Sequence, residues 1–181
     1  MIPKYLVIDV DGVMTDGGFY YSKEGKLLKK FGPDDACGLA LLKEKLKIIF
    51  VSADKRGFPI SEKRISDMGY KILNFNTSER IGFINFLGND QVIYIGDGFY
   101  DCFVMKNVLY SIATNNSDQR TKDQADFVTK RNGGDRAISE ACLHIHEKFL
   151  CNNSSINQTI HEFSQEYCSK LRDWSSYKID D

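Results

Sequence analysis

Two aspartates stand two residues apart directly behind a short apolar run, where Tyr5–Ile8 is followed by Asp9-Val10-Asp11-Gly12. At the end of a strand an i, i+2 pair points both carboxylates to the same side of the chain. Gly12 permits a sharp exit and close approach of the backbone to a ligand. Ser52 occupies the equivalent place behind Ile48–Val51, and Asp97 follows Val92–Ile95 through Gly96. In an open parallel sheet, ligands bind just beyond the carboxyl ends of the strands. A single acidic residue there is ordinarily a helix cap or a turn residue. Carboxylates and a hydroxyl delivered to one edge by unconnected strands instead imply a site for a hard cation, and oxygen ligands favour Mg²⁺.

The elements that must position these groups follow from the hydrophobic pattern. Short runs at 5–8, 48–51, 71–75, 92–95, 110–113 and 126–128 are rich in Val, Ile and aromatics, as expected of strands covered on both faces. Amphipathic segments lie between them. Asp35–Leu46 carries Leu39, Leu42 and Leu46; 61–68 is short and charged; Ser78 is a plausible cap for a helix with a stripe of Ile81, Ile84 and Leu87; Ala137–Leu150 is another helix. This alternation predicts an α/β fold, a Rossmann-like three-layer sandwich around a mostly parallel sheet with right-handed crossovers. Two segments break it. Residues 17–31 place aromatic and aliphatic runs around Lys23-Glu24-Gly25-Lys26, which predicts a β-hairpin inserted after the first strand. After the polar Asn152-Asn153-Ser154-Ser155, an apolar stripe of Ile156, Ile160, Phe163, Tyr167, Leu171 and Trp174 predicts a helical tail. The expected division is a catalytic domain over 1–150 and a tail over 151–181, with the stripe buried on the body or on another chain.

Composition narrows the classes of function. With 24 Lys+Arg against 25 Asp+Glu, the 181-residue chain has a net charge of −1, which argues against nucleic-acid or anionic-membrane binding driven by bulk charge. A chain of this length buries roughly 70% of its unfolded surface and needs no disulfide or structural metal. The five cysteines are odd in number and form no C-x-x-C pair. With the early Asp9 and Asp11 interrupting the N-terminal apolar run, this predicts free thiols and a cytoplasmic setting. Cys37, Cys102 and Cys142 sit in apolar helical contexts and read as packing. His144 and His146 are i, i+2 on a helix and face different ways, so a metal role is not expected of them.

Asp9-Val10-Asp11-Gly12-Val13-Met14-Thr15-Asp16-Gly17, with Gly96-Asp97-Gly98 and Asp101 downstream, resembles the haloacid dehalogenase superfamily of phosphatases. With only a hairpin after Asp16 and no other stretch long enough for a cap domain, it is similar to the small capless subfamily of octulosonate 8-phosphate and sialic-acid-type 9-phosphate phosphatases. Lys29-Lys30-Phe31 leading into Asp34-Asp35, and Ala125–Thr129 followed by Gly133-Gly134, extend the resemblance over about residues 4–147. The resemblance implies Asp9 as nucleophile and Asp11 as general acid and base. It implies Mg²⁺ held by Asp9, Asp97 and the backbone carbonyl of Asp11, with Asp101 orienting the site from behind. Ser52, Ala53 and Gly12 would contact the phosphate. The family's cation near the phosphate, usually a lysine opening a helix, falls on Arg80, which keeps the charge and adds bidentate geometry. Thr15, Asp16, Asp54 and Lys55 are the candidates for contacts to the rest of the substrate.

The resemblance further implies a phosphomonoesterase of lipopolysaccharide or sialic acid biosynthesis, acting on a small phosphorylated sugar acid. It implies a homotetramer built through the hairpin, whose Phe19, Tyr20 and Tyr21 supply contact area. Ser52-Ala53-Asp54-Lys55 departs from the Thr-Gly-Arg usual in octulosonate phosphatases, and an acidic third residue leans toward nine-carbon sugar acids. Gly98 stands where relatives often carry a second aspartate. Lys29-Lys30 either line the mouth of the site or form a solvated pair on the hairpin. A non-catalytic assembly module of the kind fused to nucleotide-sugar synthetases is the alternative, against which the intact Asp9 and Asp11 speak. A signalling receiver domain is disfavoured by the Asp-x-Asp spacing.

Overall fold

The structure, a computed structural model, describes residues 2–151, so the expected helical tail lies outside the described residues. Six strands form one sheet: β1 (Tyr5–Asp9), β4 (Lys47–Ser52), β5 (Ile72–Asn74), β6 (Val92–Gly96), β7 (Tyr110–Ala113) and β8 (Phe127–Val128). All neighbours pair in parallel, in the order β5-β4-β1-β6-β7-β8. The chain builds outward from β1 through β4 to β5, then crosses to β6 on the other side of β1 and builds outward again. The reversal of strand order opens a crevice at the carboxyl ends of β1 and β6, where open α/β sheets bind ligands.

Both faces of the sheet are covered, and the side chains divide between them with period two. Leu6, Ile8, Ile48, Phe50, Ile93 and Ile95 pack against Leu39 and Leu42 of α1 (Asp35–Leu42), Ile65 of α2 (Phe58–Asp67), and Ile138 and Ile145 of α6 (Ala137–Ile145). Val7, Val51, Val92 and Tyr94 face the other way, against Ile84 of α3 (Thr77–Leu87) and Val104 and Met105 of α4 (Asp101–Met105). This is the expected three-layer sandwich. A short α5 (Gln119–Gln124) completes the β7–β8 crossover.

The hairpin is β2 (Thr15–Ser22) and β3 (Gly25–Phe31), an antiparallel pair with register shifts between Thr15 and Phe19 and again between Tyr20 and Tyr21. It starts two residues earlier than the aromatic run suggests, because Thr15 already pairs with Phe31. Among the described residues no segment folds over the crevice as a cap. Other boundaries also shift. Asn76, not Ser78, caps α3: its side chain accepts from the Glu79 N–H while the Glu79 carboxylate accepts from the Asn76 N–H. This reciprocal capping box satisfies two donors that Ser78, already inside the helix, is not placed to reach. Helix α6 passes into a π-helical turn at His146–Leu150.

Candidate active site

Strand β1 delivers Asp9 as its last residue, and the chain leaves through a compact loop at 10–15. The loop is held by its own groups: Thr15 Oγ1 accepts from the Gly12 and Gly17 amides, and the Met14 amide donates to the Val10 carbonyl. Gly12 has φ +83°, and a Cβ there would overlap the Asp97 carboxylate. Glycine is therefore required both by the backbone and by the approach of β6. From the far end of the chain, Gly133 and Gly134 pack flat against this loop. The Gly134 amide donates to the Val13 carbonyl at 3.1 Å, and a Cβ on Gly133 would overlap the Gly12 carbonyl.

Asp9 is buried, and its Oδ1 accepts from Arg80 Nη2 at 2.9 Å. Arg80 Nη1 reaches Tyr94 Oη at 3.0 Å and Asp101 Oδ1 at 3.1 Å, and its Nε donates to the Phe75 carbonyl. Tyr94 Oη in turn donates to Asp101 Oδ1 at 2.7 Å. Arg80 is thus not an exposed helix arginine but a buried one (6% exposed), carried by the first turn of α3 into the crevice. Burial disfavours its charge, yet the fields of Asp9, Tyr94 and Asp101 outweigh that and hold the guanidinium firmly protonated. Asp101 spends its second oxygen on the Asp97 and Gly98 amides.

Asp97 ends the third arm of the site. Its carboxylate accepts no hydrogen bond among the described residues, and burial followed by the charges of Asp9, Asp101 and Asp11 pushes it up to about 8. Burial likewise pushes Asp9 up to about 7, against the pull of Arg80. Oxygens of Asp9, Asp97 and Asp101 lie within 4.8 Å of one another. Buried carboxylates crowded together resist ionisation unless a cation joins them. An all-oxygen donor set of this kind suits Mg²⁺. Asp101 already has both oxygens committed to Arg80, Tyr94 and two amides. Asp9 and Asp97 are therefore the carboxylates with capacity left for a cation, while the Asp101 oxygens are already engaged.

Asp11 faces a different neighbourhood. Its Oδ2 accepts from Ser52 Oγ at 2.9 Å, and its Oδ1 lies 2.6 Å from the Lys29 ammonium. Ser52 is fully buried, and its hydroxyl is directed to Asp11 while accepting from the Asp54 amide. A cavity of about 250 Å³ opens in front of these groups, lined by Asp9, Asp11, Gly17, Phe19, Lys26, Ala53, Asp54 and Arg80.

Of the residues expected to touch the rest of the substrate, only Asp54 lines that cavity. Its Oδ2 is shared between Lys26 at 2.6 Å and Lys29 at 2.8 Å, while Oδ1 accepts from the Gly57 amide. Partial burial pushes Asp54 up, but the hydrogen bonds from Lys26, Lys29 and Gly57 outweigh it and hold the carboxyl at about 2. Thr15 is fully buried and committed to the loop amides. Asp16 is exposed, accepts from the Gly18 amide and lies 3.7 Å from Lys30. Lys55 is exposed and does not line the cavity. These three lie outside the cavity lining.

The two lysines left open in the sequence separate cleanly. Lys30 is solvated, with 64% of its side chain exposed, whereas the Lys29 side chain is wholly buried. Tyr94 is a further member of the site that no sequence motif marks. Its signal was a tyrosine in a fully buried strand, whose hydroxyl has to find a partner.

A Rossmann-like sheet with carboxylates gathered at its switch point, facing a buried arginine, defines a hydrolase site built on aspartate. Comparison with known proteins agrees. Residues 84–142 match the haloacid dehalogenase-like hydrolase family. The chain is 30% identical over 146 residues to the 3-deoxy-D-manno-octulosonate 8-phosphate phosphatase of Yersinia pestis, covering 77% of each chain. Its fold superimposes on the same enzyme from Moraxella catarrhalis, whose crystal structure contains magnesium, phosphate and a KDO molecule. That match has a TM-score of 0.75 and 26% identity over 89% of this chain and 93% of the other. A probable phosphatase of the yrbi family from Pseudomonas syringae aligns with a TM-score of 0.77 and 25% identity over 92% and 93%. The chain belongs to the haloacid dehalogenase-like hydrolases, and within them it is a phosphatase of the capless kind.

Proposed function

We infer that the chain is a Mg²⁺-dependent phosphomonoesterase for a small phosphorylated sugar acid, an octulosonate 8-phosphate or a nonulosonate 9-phosphate. The observation that carries this reading is Asp9: a buried carboxylate at the cavity wall, 2.9 Å from Arg80 and within 4.8 Å of Asp97 and Asp101. An Asp9 oxygen attacks phosphorus, the bond from phosphorus to the sugar oxygen breaks, and Asp11 gives that oxygen its proton. In the second step Asp11 takes a proton from water, the water oxygen attacks phosphorus, and the bond to Asp9 breaks, releasing phosphate. Asp9, Asp97 and the Asp11 backbone carbonyl would hold Mg²⁺, which would neutralise charge between carboxylate and phosphate. Arg80 orients Asp9 and offers a cation to the phosphate oxygens, and Ala53 on the cavity wall adjoins them, whereas the buried Ser52 hydroxyl and the Gly12 amide are spent on Asp11 and Thr15.

The open crevice leaves little to grip a sugar beyond its phosphate. Phe19, Tyr20, Tyr21, Leu27 and Leu28 project from the hairpin with roughly half or more of each side chain exposed. An exposed apolar patch of this kind marks an interaction surface. It supports a homotetramer in which the hairpin meets neighbouring copies, and light scattering that returns a monomer at assay concentration would refute this assembly. The reaction itself is tested by assaying octulosonate 8-phosphate, nonulosonate 9-phosphates and simple sugar phosphates with and without Mg²⁺. Release of phosphate from a sugar-acid phosphate only in the presence of the cation is expected. Preference for simple sugar phosphates would refute the substrate class.

A further inference from the structure

Lys29 sits on the inserted hairpin, yet its side chain is wholly buried beside the carboxylate assigned to proton transfer. Its ammonium donates to Ser61 Oγ at 2.9 Å and is ion-paired with Asp11 Oδ1 at 2.6 Å and Asp54 Oδ2 at 2.8 Å. Ser61 is itself buried on α2, so this third partner is fixed by the body of the fold. Asp54 is fixed in turn by Lys26 and by the Gly57 amide. Gly57 completes the fit, because a Cβ there would press on Asp54, Lys26 and Lys29 together. The ammonium is buried among these partners and outside the cavity lining, so it does not face a substrate. What it does is fix one oxygen of Asp11 while Ser52 fixes the other.

We propose that Lys29 is a positioning residue for the reaction: anchored by Asp54 and Ser61, it holds the Asp11 carboxylate in the orientation from which a proton reaches the leaving oxygen. This rests on the reading of Asp11 as general acid. It also recasts Asp54, whose charge serves the two lysines rather than a sugar hydroxyl. Asp11, Asp54, Lys26 and Lys29 then form a charge-balanced quartet joining the hairpin to the catalytic loop. A carboxylate held between two fixed donors loses little orientation freedom during the reaction, which is the benefit of pre-organised geometry.

The test uses the full chain with Mg²⁺ and two probes of unequal leaving group: a primary alkyl phosphate, which needs a proton on its departing oxygen, and p-nitrophenyl phosphate, which scarcely does. Lys29→Met is expected to lower kcat for the alkyl phosphate by about 10², with a much smaller loss on p-nitrophenyl phosphate and little change in KM. Lys29→Arg should recover part of the loss. In an Asp11→Asn background Lys29→Met should add almost nothing, because both act through one group. Equal losses on the two probes, a change confined to KM, or a full multiplicative loss in the double variant would each overturn the proposal. If Lys29→Met does not fold, Lys29→Met/Asp54→Asn removes one charge of each sign and is read in the same way. Absence of turnover by the parent protein on both probes and on the sugar-acid phosphates would instead remove the reading of function itself, and with it this inference.

Discussion

Asp9 and Asp11 are the same residue type, two positions apart, each touching one buried cation, yet their surroundings differ. Asp9 lies at the bottom of the crevice under Arg80, with Asp97, Asp101 and Tyr94 around it, and its acidity is dominated by burial. Asp11 stands higher, with 32% of its side chain exposed, between a serine and a lysine of the hairpin. The Asp9 side holds more acid than base and calls for an added cation. The Asp11 side is balanced by protein lysines. That asymmetry makes Asp9 the carboxylate that depends on an added cation to be ionised for the proposed attack on phosphorus.

The sharpest way to break the comparison is to neutralise each carboxylate. Asp9→Asn should reduce kcat by on the order of 10⁴ or more with the fold intact, since no other group forms the covalent bond. Asp11→Asn should cost about 10²–10⁴, because binding and attack survive it. Phosphate release and circular dichroism on the same samples give both answers, and equal losses from the two variants would erase the proposed division of labour.

Removing the cation of the Asp9 side comes next. Arg80→Met leaves Asp9 and Asp101 buried without their shared partner, and should lower stability by about 3–5 kcal/mol as measured by urea unfolding. A loss under about 1 kcal/mol would mean that the ion pairs contribute little in the folded state.

The two sides should also respond oppositely to pH. Asp9 and Asp97 have folded values of about 7 and about 8, above the ordinary 3.8. The native state therefore binds more protons than the unfolded chain, and in chelator the melting temperature should fall as pH rises from about 4 to about 8. Saturating Mg²⁺ favours the ionised pair and should flatten or reverse that slope. Asp54, held at about 2, contributes stability that is present above about 4 and is lost as pH falls toward 2. A melting temperature in chelator that rises between pH 5 and 8 would contradict the assignment for Asp9 and Asp97. The smallest effect belongs to Lys30, the exposed neighbour of Lys29: Lys30→Ala should change stability by less than about 0.5 kcal/mol and leave kcat unaltered.

Sequence and structure agree most closely where a residue's place follows from the strand it ends. The mostly parallel sheet and the arrival of Asp9, Ser52 and Asp97 at one edge are readable because near-continuous Val/Ile runs admit few alternatives. Arg80 came from its position at the start of a helix in the family pattern. Its partners Tyr94 and Asp101 converge from two other elements, so only the tertiary fold brings them together. Lys29 and Lys30 were indistinguishable as neighbouring charges. The hairpin's register shifts decide which of them turns inward, and no local pattern encodes those shifts. Thr15, Asp16 and Lys55 fall outside the cavity lining because proximity along the chain to Asp11 or Asp54 does not set the direction of a side chain after a tight turn.

Gly133 and Gly134 close against the loop that follows Asp9, so the first catalytic segment to be synthesised is buttressed by one of the last parts of the described chain. During translation, β1 leaves the ribosome with its aspartates long before residue 134 emerges. A nascent chain stalled before that point carries the nucleophile but lacks the surface that holds its loop, and it should release no phosphate. The loop after Asp9 therefore waits for a segment from well past the middle of the chain before it is braced.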